Sequence, residues 1–158
     1  MLDGLRVLDM GPGIAPSFCA KLLADYGAEV VKVEPPGQGD PARRMGPFVG
    51  DDPHPEKSIP FLYLNTGKRG VTLDYSSESG RALLSKLLDD ADVLVEGFAP
   101  PEAQESFDKL RTNGTLSYKA LSKSHPRLVV TSVTPFGQDG PYRDFQATDI
   151  ITLSLIHI

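Results

Sequence analysis

Residues 6–34, RVLDMGPGIAPSFCAKLLADYGAEVVKVE, carry a complete strand–helix–strand pattern. The first letters, RVLDM, predict a strand that ends at the Gly11–Gly13 cluster. From Ser17, apolar side chains recur at a spacing of three and four residues, which predicts a helix with one buried stripe. The stripe consists of Phe18, Cys19, Leu22, Leu23 and Tyr26. Gly27 is placed as a helix C-cap and Glu29–Glu34 as a second strand, so the stretch has the size of one parallel βαβ crossover.

The same alternation continues along the chain. Further strands are predicted at Gly70–Leu73, Val93–Val95 and Leu128–Val133. Ser76 or Ser77 can cap a helix with a buried stripe of leucines, and Ser117–Lys123 predicts a shorter helix. The leucines are Leu83, Leu84, Leu87 and Leu88. We therefore predict an α/β, Rossmann-like fold with a mostly parallel sheet flanked by helices.

Pro35–Pro60 is rich in proline and glycine and carries charges of both signs. This composition predicts a long functional loop or lid rather than regular structure.

Composition excludes several classes of protein. With 158 residues and 40% hydrophobic side chains, the chain suits one domain with a core. A net charge of −5 without a basic run argues against nucleic-acid binding. No apolar run approaches the length of a membrane span. The single cysteine rules out an internal disulfide framework and fits a reducing compartment, so we expect a cytoplasmic protein.

The loop Gly11–Pro16 partly matches the dinucleotide-binding pattern G-x-G-x-x-G, and Glu34 follows where a ribose-binding acid belongs. Pro16, however, replaces the third glycine, which allows close packing of helix on strand, and Pro12 removes a backbone donor. Both substitutions argue against a nicotinamide cofactor. A helix N-terminus that offers amides to a phosphate or a carbonyl remains compatible with them.

Other candidate groups give weaker signals. Cys19 lies on the apolar helix face, which favours a buried structural thiol over a nucleophile. The histidines His54, His125 and His157 lack ligand-like spacing, so no metal site is expected. Lys68 and Arg69 precede a strand, where they could either hold a phosphate or lie in solvent as charged residues that protect the start of the strand from aggregation.

Several segments, in order and spacing, resemble the family III CoA-transferases. This group (CaiB/BaiF type) includes formyl-CoA, succinyl-CoA and crotonobetainyl-CoA transferases and the α-methylacyl-CoA racemases. The matching segments are Leu2–Asp9, Leu23–Pro35, Gly39–Pro41 with Arg43, Asn65 with Lys68 and Arg69, Thr72–Asp74, Ala91–Glu96 with Phe98, and Phe136–Tyr142.

The resemblance implies that the loops after the strands hold a CoA thioester as substrate, with no separate cofactor. The implied CoA-binding residues are Ile14, Ala15, Pro35, Leu73, Asp74, Tyr75, Ser76, Gly97, Phe98, Ala99, Thr134, Pro135, Phe136 and Gly137. Two departures stand out. Pro35 occupies a position where some members carry a CoA-contacting arginine, and Glu96–Pro101 differs from the usual Glu-Asn-Phe-Arg-Pro-Gly. Lys109 or Arg111 could take the place of the family arginine that normally follows this stretch.

The resemblance also implies catalysis by an aspartate that attacks the acyl-CoA thioester. A mixed anhydride forms, CoA leaves, and an acceptor carboxylic acid then displaces the acyl group. That aspartate is expected beyond Asp149, so no catalytic residue is assigned within residues 1–158. Thr148 stands where the racemases carry a catalytic histidine, which favours a transferase over a racemase.

For organisation, we expect residues 1–152 to be a truncated N-terminal CoA-binding domain and residues 153–158 to be a non-native tail. The chain alone is then expected to be inactive, and the full-length protein to form an interlocked homodimer. Its partners would be an acyl-CoA and an acceptor acid, with neither nucleic acid nor membrane. A racemase-type enzyme, a non-catalytic CoA- or nucleotide-binding module and a dehydrogenase remain the alternatives.

Overall fold

The computed structural model describes residues 1–97, 118–142, 145 and 147. Within these ranges the strands are β1 (Arg6–Asp9), β2 (Glu29–Glu34), β3 (Arg69–Thr72), β4 (Val93–Gly97) and β5 (Val129–Val133). They form a parallel sheet in the order β3-β2-β1-β4-β5. The helices are α1 (Ile14–Asp25), α2 (Ile59–Leu64), α3 (Glu78–Asp89) and α4 (Tyr118–Ser124). The predicted α/β, Rossmann-like class is confirmed.

Helix α1 begins at Ile14, three residues before the predicted start at Ser17. Pro16 lies in its first turn, where a missing N–H costs nothing because the first amides of a helix have no intrahelical acceptor. The helix ends at Asp25 with Tyr26 as its C-cap residue, one position before the predicted Gly27, and Gly27 has a φ of 103°. The Gly27 amide donates to Ala24 O at 2.9 Å and the Ala28 amide to Leu23 O at 3.0 Å, the bonding pattern of a Schellman motif.

The core has two layers because successive side chains of a strand point to opposite faces of the sheet. On one face Val7 of β1 packs with Val30 and with Ala20 of α1. On the other face Leu8 packs with Leu84 of α3 and Leu121 of α4. The sheet is therefore covered by α1 on one side and by α3 and α4 on the other.

The predicted buried stripe of α1 is wrong for Phe18, Leu22 and Tyr26, whereas Cys19 and Leu23 do pack against the core. Phe18, Leu22 and Tyr26 are 41%, 42% and 57% exposed, and Cys19 and Leu23 are half-buried. The buried face instead carries small or polar side chains, namely Pro16, Ser17, Ala20 and Lys21. Small residues let the helix lie close to the sheet, and Ser17 contacts charged groups on the sheet that an apolar side chain could not satisfy.

Helix α3 follows its prediction more closely. The Ser77 hydroxyl caps it by accepting a hydrogen bond from the Gly80 amide at 3.0 Å. Leu84 and Leu88 are buried and Leu87 is half-buried, but Leu83 is 51% exposed.

The segment Pro35–Pro60 contains more regular structure than predicted. Two 3-10 turns form at Pro41–Arg44 and Val49–Asp51, and α2 begins at Ile59. The buried Ser58 hydroxyl lies 2.6 Å from Ala42 O and 2.7 Å from Met45 O, which joins the first turn to the start of α2. Internal hydrogen bonds thus hold the segment in a defined conformation.

Candidate functional site

The carboxyl ends of the strands lie along one edge of the sheet because all the strands are parallel. The direction in which successive strands are added to the sheet changes at β1: β2 and β3 lie on one side of it, and β4 and β5 lie on the other. In open parallel sheets, ligands bind outside the carboxyl ends at such a switch point. The loop Gly11–Gly13 after β1 and the end of β4 at Gly97 border this crevice.

The described residues that were implied in CoA binding follow all five strand ends. Ile14 and Ala15 form the first turn of α1, Pro35 follows β2, Leu73–Ser76 follow β3, Gly97 ends β4, and Thr134–Gly137 follow β5. With strands about 4.8 Å apart, this edge extends roughly 19 Å from β3 to β5, which suits an elongated ligand. Phe98 and Ala99 lie outside the described residues, as do Lys109, Arg111, Thr148, Asp149 and residues 153–158.

Exposure separates these positions into three groups. Six are exposed and could touch a ligand directly, namely Ile14, Ala15, Asp74, Ser76, Pro135 and Gly137. Four are half-buried, namely Pro35, Tyr75, Thr134 and Phe136. Leu73 and Gly97 are buried. Leu73 packs in the core below α3, so it can offer a ligand only its backbone.

Pro16 occupies the space between the ends of β1 and β4. A Cβ on Gly97 would lie 2.5 Å from Pro16 Cγ, and a Cβ on Gly11 would lie 2.0 Å from Pro16 Cβ. Both glycines therefore make room for the proline ring. In the dinucleotide pattern, a glycine on the helix allows the helix to pack closely on the strand. Here the arrangement is reversed: Gly11 and Gly97 lie at the ends of β1 and β4, and the ring of Pro16 on α1 packs against them.

Below this loop lies a cluster of four buried charged groups, which we call the interior ion cluster: Asp9, Lys32, Asp40 and Lys68. Asp9 and Lys32 are register partners on β1 and β2, and their side chains are 0% and 3% exposed. Lys32 Nζ lies 2.7 Å from Asp40 Oδ2 and 3.5 Å from Asp9 Oδ2. Two ammonium groups face two carboxylates, which compensates charges that would be costly to bury singly.

Lys68 fits neither alternative considered from the sequence. Its ammonium group donates to Asp9 Oδ2 and Ser17 O, both at 2.8 Å, and to Asn65 Oδ1 at 3.0 Å, so no donor is left for a phosphate. Burial lowers its pKa, and the charge of Asp9 opposes that shift. Arg69 is exposed and pairs with Glu29 at 3.0 Å, as the solvated alternative predicts.

Glu34, the candidate ribose-binding acid, is bound by Arg43. Arg43 Nε donates to Glu34 Oε2 at 2.7 Å and Nη2 to Oε1 at 2.8 Å, a two-pronged ion pair. Burial raises the Glu34 pKa, but hydrogen bonds from Arg43 and the Asp40 amide outweigh it, so this pKa lies below its usual value. The pair raises the pKa of Arg43. Both Glu34 oxygens are engaged, which disfavours the dinucleotide alternative.

The loop after β3 is ordered by Asp74. Its Oδ1 accepts from the Ser76 amide at 3.0 Å and from the Ser76 hydroxyl, and these hydrogen bonds lower the pKa of Asp74. Burial, assisted by the charge of Asp74, raises the pKa of the half-buried Tyr75.

The loop after β5 carries an aromatic cluster that the sequence did not predict. The ring of Phe136 lies 6.5 Å from that of Tyr142 and 6.4 Å from that of Phe145, between centroids. Gly137, with a φ of 84°, turns the chain between these rings. Gln138 donates to Ser132 Oγ and to Glu96 Oε1, which attaches the loop to the ends of β4 and β5.

Among the described residues, neither Cys19 nor His125 has surroundings that favour catalysis. Cys19 is half-buried rather than buried, and burial together with the charge of Asp9 raises its pKa, which disfavours the nucleophilic thiolate. His125 Nε2 lies 3.0 Å from Asp89 Oδ1, and His157 lies outside the described residues. In residues 1–97 and 118–142, no three side chains of metal-ligand type group together. No helix in these ranges is long and apolar enough to cross a membrane.

The interior ion cluster was missed because its members are distant in sequence. One signal was present: Lys32 and Glu34 alternate with valines in EVVKVE, so their side chains share the inward face with Val30. Their partners, Asp40 and Arg43, come from the proline-rich segment, which no local pattern relates to the strand.

Known proteins resemble this chain over nearly its whole length. A family model described as CoA-transferase family III matches residues 2–156. The succinyl-CoA:(R)-benzylsuccinate CoA-transferase subunit BbsE of Thauera aromatica is 42% identical over 150 residues, covering 95% of this chain and 34% of that protein. The acetyl-CoA:oxalate CoA-transferase of Acetobacter aceti is 37% identical over 153 residues, covering 97% and 36%. The chain thus spans about a third of the length of these relatives.

Solved structures agree with the sequence matches. A CaiB/BaiF family protein from Brucella suis superimposes with a TM-score of 0.79 at 34% identity, covering 98% of this chain and 38% of that one. A hypothetical protein, Rv3272, from Mycobacterium tuberculosis superimposes with a TM-score of 0.75 at 32% identity, covering 96% and 38%. The sheet and its flanking helices are therefore those of this structural group.

Proposed function

The chain belongs to CoA-transferase family III, and from this premise we propose that the whole protein moves coenzyme A from an acyl-CoA thioester to a carboxylic acid. The observation that carries the proposal is the match over residues 2–156, which includes every described strand. The relatives from Thauera aromatica and Acetobacter aceti are both named CoA-transferases.

We propose that CoA lies along the carboxyl edge of the sheet, against Ile14, Ala15, Pro35, Leu73–Ser76, Gly97–Ala99 and Thr134–Gly137. The geometry supports a site of mainly backbone and apolar contacts. The buried ammonium groups of Lys32 and Lys68 and the half-buried guanidinium of Arg43 are all paired with carboxylates. The phosphates would therefore depend on backbone amides, for which the first turn of α1 is the best placed.

The proposed chemistry is nucleophilic catalysis by an aspartate carboxylate. One carboxylate oxygen bonds to the thioester carbon, the carbon–sulfur bond breaks, and CoA leaves as a thiolate to give a mixed anhydride. The acceptor carboxylate then attacks the aspartyl carbonyl carbon and displaces the donor acyl group as its free carboxylate, which gives a second anhydride. The CoA thiolate attacks the acceptor carbonyl carbon of this anhydride, so the aspartate carboxylate is released and CoA becomes the thioester of the acceptor acid. We propose that this aspartate follows Asp149 and lies outside residues 1–158, as the resemblance implies, and that residues 1–158 bind CoA without catalysing transfer.

The resemblance also supports a homodimer for the whole protein, and the single cysteine supports a cytoplasmic location. Light scattering on the full-length protein tests the first proposal, and fractionation of the source cells tests the second.

Binding to residues 1–158 tests the proposed site. Calorimetric titration should show binding of CoA and no comparable binding of NAD. Tight NAD binding without CoA binding would contradict the proposal and favour a dehydrogenase.

Activity of the full-length protein tests the reaction. Succinyl-CoA or acetyl-CoA incubated with a panel of carboxylic acids should yield a new acyl-CoA. Exchange of the α-hydrogen of a 2-methylacyl-CoA in deuterated water, without transfer, would show a racemase instead. Binding without either reaction would show a non-catalytic module.

A further inference from the structure

The Gly11–Gly13 loop borders the proposed CoA site, but its polar backbone groups point inward. The Gly11 amide donates to Asp9 Oδ1 at 3.1 Å, and the Gly13 amide donates to Asp40 Oδ1 at 3.1 Å. Pro12 has no amide hydrogen. The loop therefore offers a ligand none of its own N–H donors, unlike a glycine-rich loop that wraps a phosphate.

The third contact to the loop comes from Lys32. Its Nζ lies 2.5 Å from Gly11 O, 2.9 Å from Ser17 Oγ and 2.7 Å from Asp40 Oδ2, so all three ammonium hydrogens have an acceptor. Asp40 in turn accepts from the Ala42 amide at 2.7 Å, which fixes it to the first 3-10 turn. The loop is thus held from below by groups on β2 and on the segment that follows β2.

The loop also sets the start of α1. Gly13 is the N-cap residue, with φ 78° and ψ −149°, a conformation essentially restricted to glycine. Ile14 and Ala15, the first helical residues, follow it directly. Any shift of Gly13 would move the two amides on which phosphate binding is proposed to depend.

We propose that Lys32 and Asp40 are positioning residues for acyl-CoA: they hold the Gly11–Gly13 loop, and through it Ile14 and Ala15, in the conformation that binds CoA. The inference rests on the proposed function. Neither residue touches the ligand, because their side chains are 3% and 1% exposed. Their effect is transmitted through the backbone of the loop.

A pair of substitutions separates positioning from charge compensation. Lys32→Met leaves two buried carboxylates facing one ammonium group, so it should destabilise the fold strongly. Adding Asp40→Asn leaves one buried carboxylate and one ammonium group, because Asp9 stays paired with Lys68 at 2.8 Å. The asparagine oxygen can still accept from the Gly13 amide. Relative to the native protein, the double variant chiefly lacks the bonds that Lys32 makes to the loop and to residue 40.

The experiment measures thermal unfolding and the calorimetric Kd for CoA in the native protein, Lys32→Met and the double variant. We expect the double variant to recover most of the stability lost in Lys32→Met while its Kd for CoA stays about tenfold or more above the native value. If both stability and Kd return to native values, Lys32 serves only charge balance and the inference is wrong.

Controls keep the outcomes distinct. The double variant Asp52→Asn with Lys57→Met makes the same chemical changes in an exposed ion pair and should leave the Kd unchanged. If Lys32→Met and the double variant fail to fold, Asp40→Ala decides, because it removes the acceptor of the Gly13 amide. An unchanged Kd overturns the inference, and a severalfold increase supports it. A native protein that binds no CoA would instead overturn the proposed function.

Discussion

Arg43 and Glu34 form a two-pronged ion pair with N–O distances of 2.7 Å and 2.8 Å. The ring of Phe61 lies 3.8 Å from the guanidinium carbon of Arg43, and Glu56 pairs with its remaining edge at 2.7 Å. The guanidinium thereby connects the end of β2 to the segment that leads to α2.

Replacement of Arg43 by methionine should destabilise the fold by about 3 kcal/mol or more, because the buried Glu34 carboxylate loses its cation. Chemical denaturation measures the loss. The neighbouring Arg44→Met is the matched control, since Arg44 is exposed and donates to Gln38 O at the surface. Equal effects of the two substitutions would contradict the assigned role of the pair.

Stability should fall in acid through Glu34. Its pKa in the folded protein lies below the ordinary value of 4.5, so the folded state favours the charged form. The stabilisation is therefore complete above about pH 4.5 and is lost as the pH falls through the lower, folded-state pKa. Denaturation at a series of pH values should show a steeper acid loss in the native protein than in Glu34→Gln. Parallel curves would refute this prediction.

Gly97→Ala should cost about 1–3 kcal/mol, because its Cβ would lie 2.5 Å from Pro16 Cγ and 3.2 Å from Val133 O. Adding Pro16→Ala removes the nearer atom and should restore part of the stability. Gly70→Ala in β3 is the control, since nothing lies within 4 Å of its Cβ position. Thermal unfolding distinguishes these cases, and a failure of Pro16→Ala to rescue would argue against the packing described.

Ala15→Glu should separate binding from stability. An acid in the first turn of α1 interacts favourably with the helix dipole, so stability should rise by about 0.3–1 kcal/mol or stay level. The new carboxylate should nevertheless repel the phosphates of CoA and weaken its binding by calorimetry. Ser85→Glu, an exposed position in the middle of α3, should leave CoA binding unchanged. Unaltered CoA affinity in Ala15→Glu would move the proposed site away from α1.

Cys19 should react slowly with thiol reagents. Its raised pKa reduces the thiolate fraction near neutral pH, and the side chain is half-buried. Alkylation by iodoacetamide should therefore be much slower in the folded protein than in denaturant. Equal rates in the two states would show an accessible, reactive thiol.

Sequence patterns correctly predicted the elements that are determined by residues close together in the chain. The valines of β2, the turn at Gly27 that follows α1 and the cap at Ser77 are encoded within a few residues of their positions, and each agrees with the structure. The apolar spacing that predicts α1 begins only at Ser17, so it leaves out the first turn of the helix, which contains Pro16. In the first turn of a helix, proline is well tolerated.

The remaining errors concern tertiary contacts. The apolar spacing of Phe18, Leu22 and Tyr26 is helical, but the face that meets the sheet is chosen by what lies beneath it. There, Lys32 donates a hydrogen bond to the Ser17 hydroxyl, which an apolar side chain could not accept. The pairing of Lys32 with Asp40 depends on how Pro35–Pro60 folds back on the sheet, and periodicity carries no information about that path.

The register between Asp9 and Lys32 makes the length of β2 as important as its composition. Side chains alternate between faces, so deletion or insertion of one residue before Lys32 would turn both Lys32 and Glu34 toward the leucines packed under α3. Asp40 would lose its cation and Arg43 would lose one of its two carboxylates, although no residue is substituted. Length variation in this protein should therefore be tolerated in exposed turns such as Pro36–Gln38 and not within residues 29–34.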